Sequence, residues 1–340
     1  MKLYRLFILS LVASTILIGC GNDENDYNLG GYYIPPQPNG NGGSGNSNDG
    51  DDKGNNDADV ANAIKRLEFP RTSSKHNSFV VVHNALLNMK TKEHGINYCV
   101  EWDPEIRAQR WCCYQMYGKV TNGIMSGTNG EYANRYNATN DGTGSIYSQY
   151  PNDTCIAENY RFTKDPFKGS GYDHGHICPS ADRLGSDEAN YQTFFLTNMM
   201  PQVNSFNAGI WAAMEAKLRD WTKSYDTLYV CKGGTIDKDE HIISYIGSGD
   251  NKIPVPKYFF MAILGVKNKA GQKGDYSAMA FWIEHKGNTP KNDDLKKYMV
   301  NVRELEKSTN IDFFCNLSDD IEEWVETLPL GTIQTQWIVK

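Results

Sequence analysis

Gly169-Ser170-Gly171-Tyr172-Asp173-His174-Gly175-His176-Ile177-Cys178-Pro179 opens the stretch on which the rest of the chain is organised. It continues as Thr197-Asn198-Met199-Met200-Pro201-Gln202, then Asn204-Ser205-Phe206-Asn207, then Trp211 and Glu215. Two histidines, three asparagines and carboxylates fall close together here. A neutral histidine is the commonest general base near pH 7. An amide oxygen suits Mg²⁺ or Ca²⁺ better than Zn²⁺, and Mg²⁺ retains several of its own waters. The stretch therefore reads as a set of groups for activating water beside a hard cation. Two other readings compete with it. Asp173-His174-Gly175-His176 could be a turn with satisfied side chains. His174, His176 and Cys178 could share one face of a strand and ligate Zn²⁺.

The order of these residues resembles the DNA/RNA non-specific endonuclease family, the ββα-metal nucleases. The family pattern reads Asp-Arg-Gly-His, Thr-Asn-x-x-Pro-Gln, Asn, Trp and Glu. It is met by Asp173-His174-Gly175-His176, Thr197–Gln202, Asn207, Trp211 and Glu215, and the likeness spans roughly residues 65–335. The one departure is His174, which stands where the family has arginine.

The resemblance implies an α+β fold, with a central antiparallel sheet flanked by helices and a ββα-metal active-site motif. It implies metal-dependent hydrolysis of phosphodiester bonds in DNA and RNA. The cofactor is Mg²⁺, with Mn²⁺ and Ca²⁺ as alternatives. His176 is the expected general base and Asn207 the metal ligand. Glu215 would reach the ion through a water or hold a neighbouring basic group. Asn198 is expected to orient the site, and Asp173 to shape the turn. The family also places an upstream arginine on the phosphate, and Arg161 is the first choice, with Arg135 the alternate. His174, Arg183 and Lys164 are further candidates for phosphate contact. Histidine at 174 carries charge only when protonated, whereas arginine is always charged. That substitution supports an alternative in which the protein is a catalytically weakened, nucleic-acid-binding surface lipoprotein.

The remainder of the 340 residues frames this stretch. Lys2 and Arg5 precede the apolar run Leu6–Ile18, and Leu17-Ile18-Gly19-Cys20 resembles a lipobox. Residues 1–20 are thus expected to be a lipoprotein signal peptide, with Cys20 the lipidated residue. The protein would be exported and membrane-anchored, at the cell surface or in the periplasm. Residues 21–60 contain nine Gly and nine Asn, and read as a flexible linker with an r.m.s. span of roughly 35 Å. The endonuclease domain is expected at 61–340. DNA, RNA and the membrane are the implied partners, and nothing in the sequence points to a protein partner.

Hydrophobic content of 39% with 12% aromatics supports a substantial core. Net charge is −7, and with three basic and eight acidic residues in 1–60 the domain itself carries about −2. A sequence-specific polyanion binder is usually strongly basic, so this balance favours turnover over tight binding. Strands are expected at Ser78–His83, Asn97–Trp102, Arg110–Gln115, Thr227–Cys231, Tyr258–Leu264 and Ala278–Ile283. Helices are expected at Ala61–Leu67, Ala208–Trp221, Asn292–Val302 and Asp319–Thr327. Thr121–Asp153 reads as a surface excursion. Excluding Cys20, seven cysteines remain. A hairpin turning at Asp103–Ala108 would set Cys99 opposite Cys112, and Cys155–Cys178 is a second candidate disulfide.

Overall fold

The computed structural model describes residues 57–71, 77–89, 92–117, 133–138, 149–267, 272–287 and 290–337. The signal-peptide and linker readings, and most of the Thr121–Asp153 excursion, lie outside these residues.

The strands are β1 (Phe79–Asn88), β2 (Glu93–Asp103), β3 (Ala108–Tyr117), β4 (Asp173–His176), β5 (Met199–Gln202), β6 (Thr227–Gly234), β7 (Ile242–Ile246), β8 (Ile253–Pro256), β9 (Tyr258–Val266), β10 (Tyr276–Glu284) and β11 (Met299–Val300). The helices are α1 (Asp57–Ala63), α2 (Asp187–Gln192), α3 (Asn204–Phe206), α4 (Ala212–Trp221), α5 (Val302–Thr309), α6 (Asp319–Glu326) and α7 (Leu330–Trp337). Seven strands form one antiparallel sheet in the order β1-β2-β3-β6-β9-β10-β11. Two further pairs, β4-β5 and β7-β8, lie outside it.

Alternation along the strands builds a core on each face. On β3, Cys112, Tyr114 and Met116 join Trp211, Leu218 and Trp337 on one side. Trp111 and Cys113 point the other way, toward Val302, Leu305 and Val325 of α5 and α6. Strand β9 is covered on both sides, and Phe259 to Leu264 are all buried. That explains why it reads as a continuous apolar run rather than an alternating one. Full burial of each such side chain is worth roughly 1.5–3 kcal/mol.

The expected sheet strands all form, and α6 matches its expected position. Other expectations change. The helix expected at Ala61–Leu67 occupies Asp57–Ala63, because Val60 and Ala63 are the residues that enter the second core. The Asn292–Val302 segment is not one helix. Leu295–Tyr298 makes a single 3-10 turn, Met299–Val300 pairs with β10, and Asn301 then caps α5 by accepting from Glu304 N–H. Pairing with a sheet edge outweighed local helix propensity there.

The hairpin does turn at Asp103–Ala108, but a bulge between Glu101 and Trp102 shifts the register by one residue. Cys99 therefore faces Cys113, and Cys112 lies on the other face of the sheet. The expected Cys99–Cys112 and Cys155–Cys178 disulfides are absent, and all seven described cysteines are free thiols.

The pairing of β4 with β5 sets His176 opposite Met199 and Gly175 opposite Met200. A side chain at 175 would have no room, since a Cβ there would overlap the buried Gln202 side chain. Gly175→Ala should therefore overpack the hairpin and cost about 1–3 kcal/mol. The expected result is a Tm lowered by about 2–10 °C in thermal unfolding. An unchanged Tm would show that this close approach imposes no constraint.

Candidate active site

Strand β4, the turn after it and the helical segment that follows β5 border a cleft of about 350 Å³. Arg135, Tyr150, His174, His176, Asn207 and Glu215 are among the residues lining it.

The helix expected at Ala208–Trp221 is broken at its start. Residues Asn207–Trp211 form a π turn, and Gly209 is non-helical at φ −93°, ψ −116°. Such bulges are frequent at functional sites. Eight regular helical residues would separate Asn207 from Glu215 by about 12 Å, and the irregular turn lies between the two. Both residues face the same cleft. The segment is anchored at its entry by His285. Its Nδ1 donates to the Pro256 carbonyl at 2.8 Å, and its Nε2 accepts from Val203 N–H at 2.8 Å.

Asp173 joins strand to helix. Its Oδ2 accepts from Asn204 Nδ2 and from Asn207 Nδ2, each at 2.9 Å. With its nitrogen committed in this way, Asn207 keeps the amide oxygen as the atom available to a cation. The expectation that Asp173 shapes the turn is thus extended, for it also orients the metal-ligand candidate.

His176 ends β4. Its ring donates to the His174 backbone carbonyl, while Nε2 is buried with no partner among the described residues. That bond selects the tautomer in which Nε2 carries the lone pair. Burial, and then the charge of Arg135, push the imidazole down to about 3, outweighing the carbonyl bond. His176 is accordingly neutral throughout the physiological range, as a base must be. The Phe194 ring meets its edge at 4.9 Å, and the Arg135 guanidinium lies 4.9 Å over the same Phe194 ring.

His174 lines the cleft too, but its contacts are not those of an arginine. Its ring stacks on Tyr150 at 3.6 Å and on Phe167 at 4.3 Å. Its Nε2 lies 2.9 Å from Asp165 Oδ2. Burial works to raise the Asp165 carboxyl, but the bond and charge of His174 hold it below the usual range. One ring nitrogen and the flat surface of His174 are therefore occupied within the protein.

Several expected site residues lie elsewhere. Arg161 donates to the Ile156 and Thr154 carbonyls and stitches its own loop, so the upstream arginine at the cleft is Arg135, the alternate. Arg183 is buried, donating to the carbonyls of Asn97, Asp182 and Gln115, and cannot meet a substrate. Lys164 is exposed and does not line the cleft. Asn198 is fully buried. It accepts from Cys178 N–H and donates to the Cys178 and Thr193 carbonyls, so it orients the site by holding the loop after His176 rather than by contacting reactants.

The Zn²⁺ reading also falls. The strand ends at His176, and Cys178 turns into the core, so the three side chains do not share a face. The buried group His83, Asp153 and Cys155 is a hydrogen-bond network behind Thr197. Asp153 accepts from His83, from Thr197 Oγ1 and from Cys155 N–H.

Sequence reasoning missed Lys232. It lies on β6 with Nζ 2.8 Å from Glu215 Oε1, so the basic group beside Glu215 is Lys232. A single charge directly after the apolar run Leu228–Cys231 was the available signal. Burial raises the Glu215 carboxyl above its usual range, and Lys232 opposes that shift.

Two strands feeding a helix, with a histidine on the strand and an asparagine amide at the helix entry, make this the α+β ββα-metal nuclease fold. The chain belongs to the DNA/RNA non-specific endonuclease family, whose sequence model matches residues 73–320. It is 33% identical over 181 residues to a protein named nuclease from Nostoc sp., covering 52% of this chain and 63% of that one. It is 28% identical over 232 residues to the mitochondrial nuclease EXOG of Xenopus laevis, covering 66% of this chain and 58% of that one. Human mitochondrial endonuclease G is 28% identical over 172 residues, covering 48% and 56%. The chain thus spans less than two thirds of the length of each of these relatives. A chain in the crystal structure of the EndoG/EndoGI complex superposes with a TM-score of 0.51 at 23% identity, covering 65% of this chain and 84% of that one, and shows the shared fold.

The depressed His176 value predicts acid sensitivity. Unfolded, the imidazole protonates near pH 6.5, whereas in the fold it stays neutral to about 3. Its contribution to stability is fully present above pH 6.5 and is lost as pH falls toward 3. Between pH 6.5 and 4 the loss should be on the order of 3 kcal/mol. His176→Gln should flatten that part of a denaturant-measured stability profile. Parallel profiles for the two proteins would show that His176 is not held neutral.

Proposed function

We propose that the chain is a metal-dependent endonuclease that hydrolyses phosphodiester bonds in DNA and RNA. The observation carrying this reading is the buried Nε2 of His176, which has no partner among the described residues, on a neutral ring that lines the same cleft as Asn207. A buried lone pair without a donor is costly unless something completes it. An attacking water is the natural occupant.

The donor set fits a hard cation. Asn207 offers an amide oxygen and Glu215 a carboxylate, with no thiolate lining the cleft. Mg²⁺ held by Asn207, with Glu215 nearby, would neutralise the phosphate and the leaving oxygen. Nε2 of His176 takes the proton from water, and the carbonyl of His174 steadies the imidazolium that forms. Arg135, exposed at the rim, holds the phosphate. Tyr150 and Phe167 hold the His174 ring in the cleft wall. The weak overall charge fits a catalyst that releases its substrate. Residues 1–20 support export and anchoring through Cys20, and residues 21–60 support a tether between membrane and domain.

Nicking of supercoiled plasmid with Mg²⁺, and its loss in EDTA, tests the reading. His176→Ala should fold and lose about 10²–10⁴-fold in rate. Retention of more than about a tenth of the activity would remove it from the base role. Asn207→Ala should need more Mg²⁺ for half-maximal rate, and excess Mg²⁺ should recover part of the loss. Wild-type behaviour at limiting Mg²⁺ would refute the ligand assignment. A wild-type protein that binds DNA yet never nicks it with Mg²⁺, Mn²⁺ or Ca²⁺ would establish the weakened-enzyme alternative.

A further inference from the structure

Lys232 is a charged side chain buried in the core. Its side chain is 0% exposed, on a central strand between Cys112 and Met261. A buried ammonium is costly unless paired, and apolar replacements of buried ion pairs are often neutral or stabilising. Packing alone would be served as well by methionine. What Lys232 touches is therefore informative.

Its Nζ contacts Glu215 Oε1 at 2.8 Å. It also lies 4.8 Å over the Trp211 ring, and Trp211 Nε1 donates to the His176 carbonyl at 3.4 Å. One ammonium thus braces the carboxylate on the helix and the indole beneath the histidine strand. Arg219, four residues along α4 from Glu215, is at the spacing that commonly pairs with a carboxylate. Its Nη1 is directed instead to Asp182 at 2.7 Å. The hydrogen bond to Glu215 is left to Lys232.

We propose that Lys232 is a positioning residue, which holds the Glu215 carboxylate at the cleft and seats Trp211 under His176 without touching substrate. This rests on the nuclease reading above.

The test compares wild type, Lys232→Met, Glu215→Gln and the double variant. Lys232→Met should lower kcat for Mg²⁺-driven plasmid cleavage about 10–100-fold and leave KM within about twofold, as loss of a supporting contact does. In the Glu215→Gln background the same change should lower kcat by less than about threefold, because the partner is already gone. The double variant carries no unpaired buried charge, so if either single variant fails to fold the double variant is compared directly with wild type, and full kcat in it would refute the positioning role. Fluorescence anisotropy of an uncleaved oligonucleotide in EDTA supplies a readout free of turnover. Lys232→Met should bind it within about twofold of wild type, with the same salt slope. Fully additive losses, or a shallower salt slope with weaker binding, would overturn the proposal in favour of direct phosphate contact. Full kcat in Lys232→Met beside an active wild type would refute the positioning role alone. A wild type inert with every divalent ion would refute the reading beneath it.

Discussion

A single carboxylate oxygen, Oδ2 of Asp173, holds the site together. It accepts from Asn204 and Asn207 at once, so the first residue of β4 is bonded to the turn that begins the helical segment. The strand carries His176 and the helical segment carries the Asn207 amide. Neither element is long enough to be stable alone, β4 having four residues and α3 three. Their mutual bonds, and the large sheet behind them, give each its geometry. The π turn at Asn207–Trp211 belongs to the same constraint, because it lets a short arc of chain present both Asn207 and Glu215 to one cleft.

The electrostatics of the cleft divide along these elements. His176 is kept neutral by burial and by Arg135, and its tautomer is selected by a backbone carbonyl. Glu215 is kept at the cleft by Lys232 against the burial that raises its carboxyl. His174, which occupies the position of the family's arginine, is joined to Asp165 and to two aromatic rings. Arg135 reaches the rim from a segment far earlier in the chain. The arginine at the cleft is therefore contributed by a different position from the one in the signature.

Much of the fold was legible in local pattern. β-branched and aromatic runs located the sheet strands, and the clustered histidine, asparagine and glutamate located the site. The failures have physical causes. Met299–Val300 became a strand because an edge of β10 was there to pair with it. The Cys99 partner changed because one bulged residue altered every register position beyond it. Arg161 and Arg183 looked like phosphate ligands because an arginine has the same composition whether it meets solvent or backbone carbonyls. Asn198 looked catalytic because an amide that bridges a loop cannot be told by sequence from one that faces reactants.

Sequence alone determined the chemistry available: a histidine before an apolar turn, an amide before a helix and a carboxylate eight residues on. It also determined the period-two alternation from which the sheet and its two cores follow. Tertiary structure alone decided which groups meet. Lys232 finds Glu215 across the face of the sheet, and Arg135 reaches the histidine through Phe194. Those encounters depend on strand order, on a one-residue bulge and on a widened helical turn. Each is set by packing over the whole domain, because burial energy is gained only when distant segments close on one another.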